Sequence, residues 1–115
     1  MSRKASTSAR QRRTPAPVFA ALGDETRLSL VMKLAGGQAR SIAHLTAGYG
    51  LTRQAVTKHL RVLEEAGIVH NVRSGRESLF ELNPRPIAEV RDYLDDVSRQ
   101  WDEALGRLKA FVERK

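Results

Sequence analysis

At Gly67 the spacing of apolar residues changes period, and this change restricts the fold more than any other feature of the chain. Before it, projection of Thr52 to Ala66 at about 100° per residue puts Ala55, Val56, His59, Leu60, Val62, Leu63 and Ala66 on one side, and Arg53, Gln54, Thr57, Lys58 and Arg61 on the other. That pattern is an amphipathic helix with Thr52 as its N-terminal cap. After it, Ile68 to Arg73 and Glu77 to Leu82 read as extended runs joined through Ser74-Gly75, a hairpin turn signal. Gly67 stands where a left-handed C-cap belongs, with Ile68 able to fold back on the last helical turn. One side of the helix packs, and the other is free to touch something.

Upstream, Pro15 and Pro17 suit a first helical turn, so a short helix carrying Val18, Phe19 and Leu22 is expected before Gly23 stops it. Asp24 caps a second helix, Glu25 to Ala35, with Leu28, Val31, Met32 and Ala35 as its core face and Gly36-Gly37 as its stop. Ser41 caps a third, with Ile42, Ala43 and Leu45 inward, and Gly48-Tyr49-Gly50 breaks the chain before Thr52. Two short helices about a tight glycine-containing turn form a helix-turn-helix, and a hairpin directly after one is a wing. The expected fold class is therefore mainly α with a small β-hairpin: four helices, two strands and a fifth helix.

Asn83 and Pro84 close the hairpin, and Pro86 suits the first turn of the last helix. From there Ile87, Val90, Leu94, Val97, Trp101, Ala104, Leu108 and Phe111 alternate steps of three and four, an a/d seam. This helix would be roughly 40 Å long, more than the preceding residues need to cover themselves. Ile87, Val90, Leu94, Val97, Trp101, Leu105 and Leu108, with Val18, Phe19 and Leu22, are accordingly expected to form a homodimer interface; packing within one chain is the alternative. Asp95 to Arg99 and Glu103 to Arg107 are oriented favourably at i,i+4 on the outer face. The organisation read here is a basic tail over 1–14, a winged head over 15–83 and a dimerisation helix over 84–115.

Charge order points to a partner. A helix tuned for stability carries acids near its N-terminus and bases near its C-terminus, yet Arg53, Lys58 and Arg61 precede Glu64 and Glu65. Each misplaced exposed charge costs about 0.3 to 1 kcal/mol, and an anion at the N-terminal half would reverse that sign. The plainer alternative is a solvated face with an Arg61 to Glu65 pair. Arg73 and Arg76 flank the hairpin turn, where they can enter a minor groove or meet phosphates, unless the tip is basic only for solubility.

The net charge of +7 is less informative than its distribution, because Arg3, Lys4, Arg10, Arg12 and Arg13 lie in an acid-free start. That segment is expected to be disordered when free, a solubilising tail or an arm adding DNA contacts; it resembles a transit peptide only poorly, lacking an apolar face. With 41% apolar and 29% charged residues in 115, one soluble domain with a modest core is expected, inside the cell. No run of about 18 apolar residues spans a membrane. The absence of cysteine removes disulfides and thiolate metal sites.

The residues quoted resemble the ArsR-type family of winged-helix transcriptional regulators from about Pro17 to Arg114. FAALGDETRLSLVMKL resembles the family's second-helix signature, TRQAVTKHLRVLEEAGIV its recognition helix and VRSGRESLFELNP its wing. The resemblance implies a dimer of first and last helices, a promoter target and repression, often of the regulator's own gene. It also implies that Thr52, Arg53, Gln54, Thr57, Lys58 and Arg61 face the major groove of double-stranded DNA; Arg73, Gly75 and Arg76 complete the expected DNA-binding set. Metal-sensing members carry cysteines in the third helix, where this chain has Ser41-Ile42-Ala43-His44, or His and acid ligands on the last helix. Neither set is present, so no metal or other cofactor is expected and the inducer stays unassigned.

His44, His59 and His70 lack the short spacings of a zinc motif, and His59 on the apolar side reads as a hydrogen-bonded core residue. Asp92 and Asp96 at i,i+4 read as solvated carboxylates rather than a cation site. The leading reading is a cytoplasmic, homodimeric DNA-binding repressor; the runner-up is a winged-helix protein-interaction module that does not bind DNA. No nucleophile elbow, phosphate-cradling Gly-Lys loop or histidine and carboxylate constellation supports an enzyme.

Overall fold

A computed structural model describes residues 14–114. Its elements are α1 (Ala16–Leu22), α2 (Glu25–Leu34), β1 (Arg40–Ser41), α3 (Ile42–Thr46), α4 (Arg53–Glu65), β2 (Val69–Ser74), β3 (Glu77–Leu82) and α5 (Pro84–Glu113). The basic tail foreseen for 1–14 lies, but for Thr14, outside the described residues. The mainly helical winged architecture is as expected, with one addition. Arg40 and Ser41 pair with Phe80 and Leu79 to make a third antiparallel strand, so the sheet order is β1-β3-β2. Two residues carry no periodicity, which is why that strand was not foreseen.

Local chemistry sets the helix ends. Asp24 accepts from the Arg27 amide at 3.0 Å, Ser41 from His44 at 3.1 Å and Thr52 from Ala55 at 3.0 Å, each satisfying an amide the first helical turn leaves open. The Asp24 carboxyl is held below the ordinary carboxylate range chiefly by the Arg27 amide, against an opposing effect of burial, with His59 and the Arg27 guanidinium adding to the lowering. At the end of α4 the Ile68 amide reaches the Leu63 carbonyl and the Gly67 amide the Glu64 carbonyl, both at 2.9 Å, with Gly67 at φ 79°. This is the Schellman arrangement expected at Gly67. Asn83 then ties three elements together: its amide meets the Ile68 carbonyl at 2.8 Å, its Nδ2 the Gly67 carbonyl at 3.1 Å, and its Oδ1 takes the Arg85 amide at 3.4 Å as the cap of α5.

The core gathers Leu30, Leu34, Leu45, Val56, Leu60, Leu63 and Ile68, all at 0% exposure, with Val18, Ala21, Val69, Phe80 and Val90 around them. Five expectations from the sequence differ in the folded chain. Helix α2 buries Leu30 and Leu34, while Leu28 and Met32 are 48% and 73% exposed and Ala35 also faces out. Ala43 is exposed on α3, and Val62 reaches the edge of the buried face of α4 at 37% exposure. The hairpin turn is Gly75-Arg76 rather than Ser74-Gly75, because Ser74 pairs with Glu77. With φ 61° at Gly75 and no positive φ at Arg76, the two-residue loop has the signs of a type II′ turn, which puts glycine first. Finally, Arg99 pairs with Asp96, one residue nearer than the expected Asp95.

Helix α5 leaves the head as a stalk. Its 30 residues span about 45 Å, and the radius of gyration of 19.0 Å exceeds the roughly 13 Å of a compact chain near this length. No helix among the described residues is long and apolar enough to cross a membrane.

Candidate nucleic-acid interface

Helix α4 is anchored by Val56, Leu60 and Leu63, and its opposite side is presented outward. Arg53, Gln54, Lys58 and Arg61 are exposed and Thr57 half-buried; together with Ile42 of α3 they line one open groove of about 380 Å³. The first turn carries no acid, and among the described residues none of Arg53, Lys58 and Arg61 forms an ion pair. Their charge adds to the positive end of the helix dipole, so the groove is a place for an anion.

Two hydroxyls are already engaged. Thr52 accepts from the Ala55 amide, so it caps the helix and keeps its proton and one lone pair, of which the proton can serve a phosphate. Thr57 donates to the Arg53 carbonyl at 2.7 Å, leaving its lone pairs and methyl to face the groove.

Behind the groove, a polar brace fixes α4 on its scaffold. Arg27 donates through Nε to the Ala21 carbonyl at 2.6 Å and through Nη1 to His59 Nδ1 at 3.2 Å, with Asp24 3.7 Å from the same ring nitrogen. A guanidinium only donates, so in the Arg27 contact His59 Nδ1 is the acceptor. His59 is therefore the hydrogen-bonded residue expected, half-buried at the rim of the core. The turn between α3 and α4 is fastened by contacts the sequence reading missed. Tyr49 shares a 2.6 Å hydrogen bond with Ser29, and Lys33 lies 4.4 Å over its ring while donating to the Ala47 carbonyl. Gly48 at φ 89° and Gly50 at φ 67° were a signal for the turn, and an aromatic residue between them was the signal for its anchor.

On the wing, Arg73, Gly75 and Arg76 are exposed at the outer end. The hairpin is braced across its strands by His70 and Glu81 at 2.7 Å and by two hydrogen bonds between Asn71 and Ser78, none of which was anticipated. Groove and wing thus place most of the expected contacts on exposed surface.

The expected dimer residues divide. Val18 and Val90 are each 7% exposed and belong to the core, and Leu22 and Ile87 are half-buried against it, because α1 packs on the start of α5 within one protomer. Phe19 meets the Tyr93 ring edge-on at 5.9 Å. Beyond this, Leu94, Trp101, Leu105, Leu108, Phe111 and Val112 are all exposed and Val97 is half-buried, an apolar stripe left open by the described residues.

Residues 22–72 match the helix-turn-helix domain family. The chain is 34% identical over 101 residues to the HTH-type transcriptional regulator Rv2034 of Mycobacterium tuberculosis, covering 88% of this chain and 91% of the relative. An ArsR-like transcriptional regulator from Rhodococcus sp. RHA1 superposes with a TM-score of 0.72 at 33% identity, over 84% of this chain and 91% of that one. The chain belongs to the ArsR-type family of winged helix-turn-helix transcriptional regulators. Another relative of this ArsR-type regulator, the HTH-type transcriptional repressor SmtB of Mycobacterium tuberculosis, is 32% identical over 85 residues, 74% of this chain and 61% of the relative.

Proposed function

We propose that the protein is a homodimeric transcriptional repressor that reads an inverted-repeat operator in duplex DNA. Helix α4 enters the major groove and the Gly75-Arg76 tip approaches the flanking backbone or minor groove. The observation that carries this reading is the open groove on α4 in which Arg53, Gln54, Thr57, Lys58 and Arg61 stand together, with no carboxylate paired to them among the described residues. Gln54 has the donor and acceptor pair that fits adenine, and Arg53 or Arg61 the fork that fits guanine, while Lys58 suits a phosphate. Two such helices on a two-fold scaffold require half-sites about one helical turn, or a multiple, apart. The unpartnered stripe of α5, with Phe19 beside it, supplies that scaffold, so the head over 15–83 reads and the helix over 84–115 pairs. Repression is supported by the relative named a repressor, since a dimer seated on a promoter excludes other proteins from it.

Selection of bound sites from random DNA by the purified protein tests this reading. A two-fold symmetric consensus is expected, and equal affinity for random and selected duplexes at matched salt would refute a specific regulator. On the selected site, Gln54→Ala should cost on the order of 1 to 3 kcal/mol and relax preference at one base pair, as read by competition binding. Arg76→Ala should weaken selected and random DNA alike, and the slope of log affinity against log salt should flatten by about one unit for one lost phosphate contact.

A further inference from the structure

The one apolar side chain in the α4 groove does not come from α4. Ile42 is the first residue of α3, half-buried, and it lines the groove beside Arg53, Gln54, Thr57, Lys58 and Arg61. Its backbone is held from both sides. Arg40 and Ser41 immediately before it are paired to Phe80 and Leu79 of β3, Ser41 caps α3, and the Ile42 carbonyl takes the Thr46 hydroxyl at 2.6 Å. Part of the side chain packs against the core while the rest is open to the groove. A fixed apolar surface surrounded by hydrogen-bond donors has a definite complement in the major groove. Thymine alone among the four bases shows a methyl group next to a carbonyl acceptor there.

We infer that Ile42 is a specificity-determining residue that reads the C5 methyl of a thymine, one per half-site, while a donor from α4 meets the neighbouring O4. The inference rests on the DNA-binding reading above and names a contact that reading leaves out. Burying one methyl corresponds to about 0.8 kcal/mol, or roughly a fourfold change in affinity per contact. Because the methyl can be removed from the DNA without touching the protein, the test needs no destabilising variant. Each thymine of the selected duplex is replaced in turn by deoxyuridine, and the affinity of the full chain is measured by competition.

The wild type should lose roughly fourfold at one thymine position per half-site and little elsewhere. Ile42→Ala should bind thymine and deoxyuridine equally at that position, and Ile42→Val, which keeps more of the packing, should retain part of the difference. The ratio of the two affinities is the readout, so an overall loss of folded protein does not imitate the result. A wild type indifferent to every replacement, or an Ile42→Ala protein that keeps the full ratio, overturns the assignment and leaves DNA binding standing. Failure to bind any duplex would instead remove the DNA reading, and this contact with it.

Discussion

Trp101→Glu should convert the proposed homodimer to monomers and lower operator affinity by a hundredfold to ten-thousandfold, the range that linking two binding modules ordinarily gains. Trp101 is 63% exposed in one protomer and lies along the stalk beyond the head, so a charge there leaves the head intact while placing a carboxylate in the middle of the surface proposed to pair. The loss in affinity comes from presentation: each head still offers its groove, but two half-sites are then engaged by independent molecules. Sedimentation should report the monomer, and circular dichroism should report lost helix, since Leu94 to Val112 would have nothing to cover it. An unchanged sedimentation profile would remove the stalk from the dimer interface.

The second large effect is on stability. Leu30→Ala should cost about 2 to 5 kcal/mol, read as a lowered midpoint in urea, because Leu30 is at 0% exposure and its removal leaves a cavity between α2 and the rest of the core. Met32→Ala on the same helix should stay within about 0.5 kcal/mol, as Met32 is 73% exposed. The pair separates the two possible inward faces of α2. If Met32 proved the costly position, the orientation of that helix would be wrong.

Helix α2 also shows why part of the fold was not legible. Leu28, Leu30, Val31, Met32, Leu34 and Ala35 put apolar side chains nearly all round it, so periodicity admits more than one inward face. What decides is tertiary: the face that buries Leu30 and Leu34 in the core also carries Arg27, which reaches Ala21 and His59 from that same side. Helix α4 was readable because its polar and apolar residues separate cleanly and both ends carry caps with a stated mechanism. The hairpin turn sits one residue beyond Ser74-Gly75, since a type II′ loop places glycine in its first position.

The candidate site divides in the same way. Residues on α4 follow from one helical projection, so Arg53, Gln54, Thr57, Lys58 and Arg61 were found together. Ile42 could not be, because it joins the groove from another helix through the β1 pairing, which only the folded chain displays. Val90 shows that an a/d seam does not record where a protomer's own core ends, and Val18 that an apolar residue of a short first helix can pack within the protomer.

The knot of hydrogen bonds at Gly67, Ile68 and Asn83 joins the last turn of α4, the root of the wing and the first turn of α5. These bonds fasten the foot of α4 to the start of the stalk, so the orientation of one is tied to that of the other at this junction. In the proposed dimer the gap between the two heads would then follow from the angle at which the stalks cross, and a small rotation at their contact would throw both heads out of step with the pitch of the double helix.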